Sequence, residues 1–366
     1  MRARLEEADH ILLIRLRSLG DSILTLPLIE ALHRWRTGLK LSILIESPFS
    51  PVFDHHPALH EVIVLRNKKA PAASGLTRLQ GLLRVRRRRF PAVLNLHGGT
   101  TSLIFALASG APLRIGQETY RLSRCYNARI PASSLVWGRA HLHTVEHQLT
   151  LMRWLGLPVA PEISPRIHVA DDARVRMEAR LGSAGLRPGA YILIQPTATL
   201  FTKQWPEENF AQLADRLSQA FDLPVVFSAG PGETETSRRI ELAAHQRHHY
   251  WSDLDLEGLF ALIEGCRLFI GNDSGPTHAA AALNKPIVVI WGSSDFDVWH
   301  PWNARHESIR SALPCMPCPG YSCAVYGKPR CILDISVEPV FQASARMLKD
   351  RGQATLSPIL VSPEIS

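Results

Sequence analysis

The sequence has no run of about 18 apolar residues, so no helix is expected to span a bilayer. Its opening stretch, MRARLEEADHILLIRL, puts acids ahead of a short apolar run. A secretory signal would need a basic start, a longer apolar segment and a small-residue cleavage site. These absences lead to the expectation of a cytoplasmic protein, with peripheral contact at the inner face of the inner membrane left open. Six cysteines in 366 residues are too few for a disulfide scaffold. There is no internal repeat at a solenoid period and no long low-complexity tract, which argues against an array or a fibrous chain.

Apolar residues make up 46% of the chain and charged residues 20%, the balance of a globular protein whose length suits two domains. Basic residues outnumber acidic ones by 41 to 33, a net charge of +8 that favours anionic partners: phosphates, nucleic acid or an acidic membrane face. Short apolar runs alternate with amphipathic segments. The runs His10–Leu16, Leu41–Ile45, Val62–Leu65 and Ala92–Leu96 read as strands. Segments Ser22–Trp35, Thr101–Ser109 and His141–Leu155 read as helices. After a proline-containing stretch the pattern restarts, with strands at Tyr191–Gln195, Pro224–Ser228, Leu268–Gly271 and Pro286–Trp291. Helices are expected at Asp171–Leu181, Glu207–Gln219, Glu233–Ala244, Leu256–Cys266 and Thr277–Leu283. Strand–helix alternation of this kind predicts an α/β chain of two Rossmann-like parallel-sheet domains facing a crevice, with ligands beyond the carboxyl ends of the strands. The expected division is 1–165, 166–350 and a flexible tail, 351–366.

Four junctions after strands carry chemistry. In Arg17-Ser18-Leu19-Gly20-Asp21-Ser22, Gly20 permits a tight turn. Asp21 is then either a base for an acceptor hydroxyl or a helix cap. In Gln195-Pro196-Thr197-Ala198-Thr199, followed by Lys203-Gln204-Trp205-Pro206, threonine hydroxyls and a lysine ammonium suit a diphosphate, unless the stretch is an ordinary polar loop. In Gly271-Asn272-Asp273-Ser274-Gly275-Pro276-Thr277-His278, the N–H groups of a helix start make an anion site that Gly275 lets a phosphate approach. This block matches neither GxGxxG nor the P-loop pattern, so the dinucleotide and NTPase readings lack their fingerprints. In Ser228-Ala229-Gly230-Pro231-Gly232-Glu233, Glu233 is placed to bind nucleoside hydroxyls or an amine, or simply to sit at a helix start.

Three further features have bland readings beside sharp ones. His143-Thr144-Val145-Glu146-His147 fits the H-x-x-E-H zinc-hydrolase pattern, but a pattern so short recurs easily among 16 histidines. Cys315, Cys318, Cys323 and Cys331 have the number, though not the ribbon spacing, of a metal site; the alternative is a loop with free thiols. The run Arg84-Val85-Arg86-Arg87-Arg88-Arg89 is either a solvated face or an attractor of phosphorylated lipid head groups. No aromatic platform interleaves it, so nucleic acid is not expected.

The opening ILLIRLRSLGDSILTLPLIEALHRW and the block LEGLFALIEGCRLFIGNDSGPTHAAAALNKPIVVIWGSSD, in this order and separation, resemble glycosyltransferase family 9, the ADP-heptose:lipopolysaccharide heptosyltransferases. The resemblance runs from about His10 to Leu348. It implies a GT-B fold and an inverting, metal-independent transfer with no cofactor. The donor is a nucleotide sugar, ADP-heptose in this family. The acceptor is an inner-core lipopolysaccharide or related phosphorylated glycolipid. It places the base on Asp21, the diphosphate ligands on Thr199, Lys203, Asp273, Ser274 and Gly275, and the nucleoside-side acid on Glu233, with Glu235 close by; His278 belongs to the same motif. The chain departs from the family in having Ala198-Thr199 where two threonines are common, and Ser274 where threonine is frequent. A UDP- or GDP-sugar transferase, or a non-catalytic sugar-nucleotide-binding protein, would share most of these features.

Overall fold

The short apolar runs become strands because both of their faces are covered, as parallel sheets flanked by helices require. The computed structural model describes residues 2–67, 75–160, 162–230, 232–318 and 320–350, and the strand Ile359–Val361. Pro231 and, apart from that strand, the tail expected at 351–366 lie outside the described residues. The chain divides into two compact units, Met1–His168 and Val169–Ser366.

The first unit holds β1 (His10–Ile14), β2 (Lys40–Glu46), β3 (Glu61–Leu65), β4 (Ala92–Asn95), β5 (Leu113–Gln117) and β6 (Ala128–Ile130). They form one parallel sheet in the order β3-β2-β1-β4-β5-β6, the doubly wound Rossmann order. Its core is built from alternate residues of the central strands, among them Leu12, Ile14, Leu44 and Val93, closed by Phe105 and Phe90.

The helix expected over Ser22–Trp35 is two helices, Leu19–Ile23 and Leu26–Trp35. Pro27 sits in the first turn of the second. It has no N–H to give Ile23, and its ring would clash with that residue's carbonyl, so the helix restarts there. Gly20 lies inside the first short helix and is not among the glycines at positive φ, so the turn after β1 does not draw on glycine's freedom.

The second unit holds β7 (Ile192–Gln195), β8 (Val225–Ser228), β9 (His249–Trp251), β10 (Leu268–Asn272), β11 (Ile287–Ile290), β12 (His306–Ser311) and β13 (Ile359–Val361). The parallel sheet runs β13-β12-β11-β10-β7-β8-β9, which is the same Rossmann order with a seventh strand added. Ile194, Phe227, Ile270 and Ile290 pack with Trp205, Phe210 and Val340 in its core. Trp205 is fully buried, its ring meets Phe210 edge-on at 4.9 Å, and its Nε1 donates to the Ile335 carbonyl at 2.7 Å. A buried indole needs that partner.

Candidate functional site

Each sheet reverses its strand order once, between β1 and β4 in the first unit and between β7 and β10 in the second. At such a point two neighbouring loops leave in opposite directions and open a cradle beyond the strand ends. The sequence-predicted residues fall at these two points, except Glu233, which follows β8, and His278, which lies inside the helix after β10.

In the first unit, Asp21 stands three residues after Ser18, which takes the cap position of the helix Leu19–Ile23. Asp21 therefore does not cap that helix. Its Oδ2 accepts from Ser18 Oγ at 3.1 Å, and its Oδ1 lies 3.5 Å from the Arg15 guanidinium. The Asp21 side chain is 30% exposed and that of Arg15 only 7%. The loop is fixed from below: Ser22 Oγ donates to the Ser18 carbonyl at 2.6 Å and Thr25 Oγ1 to the Asp21 carbonyl at 2.8 Å.

The loops after β4 and β5 supply neighbours the sequence did not announce. Burial, reinforced by Arg15 and Arg17 and opposed by Asp21, lowers the His97 pKa, so this imidazole is neutral near pH 7. Burial, with Tyr126 and Asp21 adding to it against the pull of Arg15, pushes the Tyr120 phenol up to about 12. Tyr120 donates to the Asn95 carbonyl at 3.3 Å. Asn95 in turn donates to Ser102 at 3.0 Å and to Tyr126 at 2.6 Å. Arg15 is thus the cation in contact with Asp21, with the neutral His97 and Tyr120 and the cationic Arg17 on the surrounding loops.

In the second unit, three loops converge. The Lys203 ammonium lies 2.7 Å from Asp273 Oδ2, joining the loop after β7 to the loop after β10. Asp273 is buried, and Ser294, after β11, donates to the same oxygen. Asn272, fully buried, stitches the same loops together. Its Nδ2 donates to the Pro196 carbonyl at 2.6 Å and its Oδ1 accepts from the Trp205 N–H at 3.3 Å. Gly292 allows the loop after β11 to close on this point, since a Cβ there would sit 2.1 Å from the Thr202 carbonyl oxygen.

Beyond β10 the helix Gly275–Ala282 begins, with Ser274 as its cap. The Ser274 side chain makes no capping bond, and its buried Oγ has no partner among the described residues. Pro276 brings no N–H. Among the described residues neither Ser274 nor Gly275 spends its N–H inside the fold. Such a start attracts an anion through free donors and the helix dipole. Thr199 is exposed on the loop after β7, whereas Thr197 is buried and turned inward. Thr197 Oγ1 accepts from Gln195 at 2.8 Å and donates to Glu233 Oε2 at 2.8 Å. The Gly230 N–H donates to the same Glu233 oxygen at 2.6 Å. Glu233 is therefore anchored to the β7 loop, while Glu235 points along its helix to Arg238 and Arg239, at 3.6 and 3.5 Å. His278 is buried one turn into the helix, its ring 6.5 Å from Trp299.

The zinc-hydrolase pattern resolves into a helix cap. His143 Nδ1 accepts from the Val145 N–H at 3.1 Å, and Glu146 reaches back to the His143 N–H at 2.9 Å and to Arg139. Among the described residues no three His, Cys, Asp or Glu side chains are grouped to hold a metal ion. The cysteines are free thiols. Burial, with Cys318, Cys315 and Cys323 nearby, pushes Cys331 up to about 11, so it stays protonated at neutral pH. No helix of the described residues is long and apolar enough to cross a membrane.

Two Rossmann-ordered units, one with a carboxylate at its switch point and the other with a lysine–aspartate pair beside an uncapped helix start, form an α/β protein of the GT-B class. The sequence pattern of glycosyltransferase family 9 (heptosyltransferase) matches residues 79–328, more than half of the chain. The chain belongs to this family and is a heptosyltransferase-like glycosyltransferase of lipopolysaccharide biosynthesis. It is 28% identical over 298 residues to lipopolysaccharide heptosyltransferase 3 of Escherichia coli, covering 78% of this chain and 84% of that one. The fold matches E. coli ADP-heptose lps heptosyltransferase II with a TM-score of 0.74 at 22% identity, over 93% of this chain and 98% of that one. It also matches E. coli heptosyltransferase WaaC with ADP, with a TM-score of 0.69 at 18% identity, over 92% and 99% of the two chains.

Proposed function

We propose that the protein transfers heptose, or a closely similar sugar, from an ADP-sugar to an inner-core lipopolysaccharide or related phosphorylated glycolipid, with inversion at the anomeric carbon. The observation that carries this reading is the Lys203–Asp273 pair beside the uncapped helix start at Ser274. Asp273 holds the ammonium in place, and the ammonium faces the diphosphate. Thr199, the Ser274 hydroxyl and the N–H groups of Ser274 and Gly275 complete the cradle. Glu233, whose two fold contacts both fall on Oε2, keeps Oε1 for the nucleoside. The similar fold of a heptosyltransferase solved with ADP supports the choice of nucleotide.

In the reaction, the acceptor hydroxyl oxygen attacks the anomeric carbon while the bond from that carbon to the diphosphate oxygen breaks. The hydroxyl proton passes to the Asp21 carboxylate. The charge left on the diphosphate is stabilised by Lys203 and the helix start, which are already oriented before the reaction. These groups belong to the chain itself, so no metal is assigned a role. The enzyme would work at the cytoplasmic face of the inner membrane, where its acceptor is held.

Thermal unfolding with ADP, UDP and GDP at equal concentration, with and without EDTA, tests the donor. A nucleotide at 100 times its Kd adds about 2.7 kcal/mol. ADP is expected to stabilise most, unaffected by EDTA. A preference for UDP or GDP would discard the ADP-sugar, and no response to any nucleotide would discard the donor site.

A further inference from the structure

The arginine run lies on a helix, Arg78–Arg88, opened by a Thr77–Gln80 capping box. Two of its arginines are used by the fold. Arg84 and Arg88 both pair with Glu61, at 2.5 and 2.9 Å. Burial alone would raise the Glu61 pKa, but the two guanidinium groups overcome it and the carboxyl titrates low. Gly81 and Val85 form the buried stripe. The opposite stripe is apolar as well: Leu79 is 68% exposed and Leu83, one turn on, 48%.

A Cβ at Gly81 would lie 2.3 Å from Leu65 of β3 and 3.3 Å from the Phe105 ring, so the missing side chain lets this helix rest on the sheet and on the helix Thr100–Ala108. That second helix also turns two aliphatic residues outward one turn apart, Ile104 at 50% and Leu107 at 45% exposure. The Arg86 guanidinium reaches across to Gly110, just past its end. Four exposed aliphatic side chains on two touching helices are thereby bordered by Arg78, Arg86, Arg87 and Arg89, all exposed. Arg78, Arg87 and Arg89 have no acidic partner among the described residues.

We infer that this two-helix face docks the enzyme on an anionic bilayer, with Leu79, Leu83, Ile104 and Leu107 entering the acyl boundary and the free arginines on lipid phosphates. A basic rim around exposed aliphatic side chains is the composition that lies in a membrane interface. Charge complementarity selects the anionic surface. Strand-binding nucleic-acid surfaces instead stack bases on aromatic rings, and this face presents none. The inference rests on the proposed glycolipid acceptor, which is itself membrane-held, and names the surface that brings the enzyme to it.

The test is co-sedimentation of the full-length protein with vesicles of phosphatidylcholine alone and of phosphatidylcholine mixed with phosphatidylglycerol. The protein is expected to bind the mixed vesicles, less so as salt rises. The double variant Arg78→Gln/Arg87→Gln should bind them roughly 25-fold more weakly, about fivefold per arginine. Leu79→Ser/Leu83→Ser should lose about tenfold or more. Both variants change exposed side chains, and unchanged melting temperature and ADP stabilisation establish that they are folded. Equal binding to the two kinds of vesicle, wild-type binding by either folded variant, or tighter binding of a DNA duplex through the same arginines would each overturn the inference. Vesicle binding as expected without any stabilisation by ADP would leave this surface standing and remove the donor reading.

Discussion

Asp21 and Lys203 are both held by partners of the opposite sign, and the strength of that hold differs. Asp21 is 3.5 Å from Arg15 and accepts a hydrogen bond from the Ser18 hydroxyl. It keeps an accessible carboxylate, as a base must. Asp21→Asn retains the shape and the Ser18 contact but cannot take a proton. Turnover should fall by roughly a hundredfold or more, with ADP affinity unchanged. A mutant of equal turnover would remove the base from this position. Lys203 instead meets a buried acid at 2.7 Å. Lys203→Ala deletes a charge-assisted contact to the diphosphate worth about 1.5–3 kcal/mol, so ADP should bind roughly 10- to 100-fold more weakly. Calorimetric titration of the two variants separates the roles: the first should keep ADP affinity and lose turnover, the second should lose ADP affinity.

At the scale of elements, the proposed donor cradle depends on loops that leave adjacent strands and are tied together by Asn272. Its amide satisfies one carbonyl and one N–H that are otherwise buried. Asn272→Ala leaves both unpaired, at about 1–3 kcal/mol each. It should lower the unfolding midpoint and weaken ADP binding together, although Asn272 is fully buried. Loss of stability with normal ADP affinity would show that the loops hold their register without it. Asn272 could be read only as part of a motif, because its role lies in two backbone partners distant in sequence. β1, β7, β10 and β11 were legible as uninterrupted apolar runs. β12 was not: Glu307 and Ser308 are polar yet buried, and Glu307 is tolerated because Arg346 grips it with two bonds, at 3.0 and 2.6 Å. β6 and β9 are three-residue edge strands, too short to show a period. The helix Arg78–Arg88 was masked by its own arginines, whose charge hid the small buried stripe of Gly81 and Val85. Among the site residues, those just past apolar runs stood out in the sequence. Arg15, His97 and Tyr120 did not, because only the fold brings the ends of β1 and β4 together with the loop after β5.

For the whole molecule, the two units repeat one strand order, and the proposed function divides the chemistry between them. Each has its own core, Leu12 to Phe105 in one and Ile194 to Val340 in the other, so each presents its switch-point loops on a separately built support. The charged groups differ by unit: the first places Arg15 and Asp21 at its switch point, the second Lys203, Asp273 and an open helix start. At the loop of the first unit the Asp21 carboxylate stands beside Arg15 and the exposed Arg17, and a diphosphate there would meet the repulsion of that carboxylate. ADP alone should therefore slow amide hydrogen exchange in 195–205 and 271–280 and leave 15–25 unaffected. Mass spectrometry of peptides from the full chain reads both regions in one experiment. Slowing at 15–25 without slowing at 195–205 would reverse the assignment, placing the nucleotide on the first unit and leaving the Lys203–Asp273 pair a structural bridge between loops.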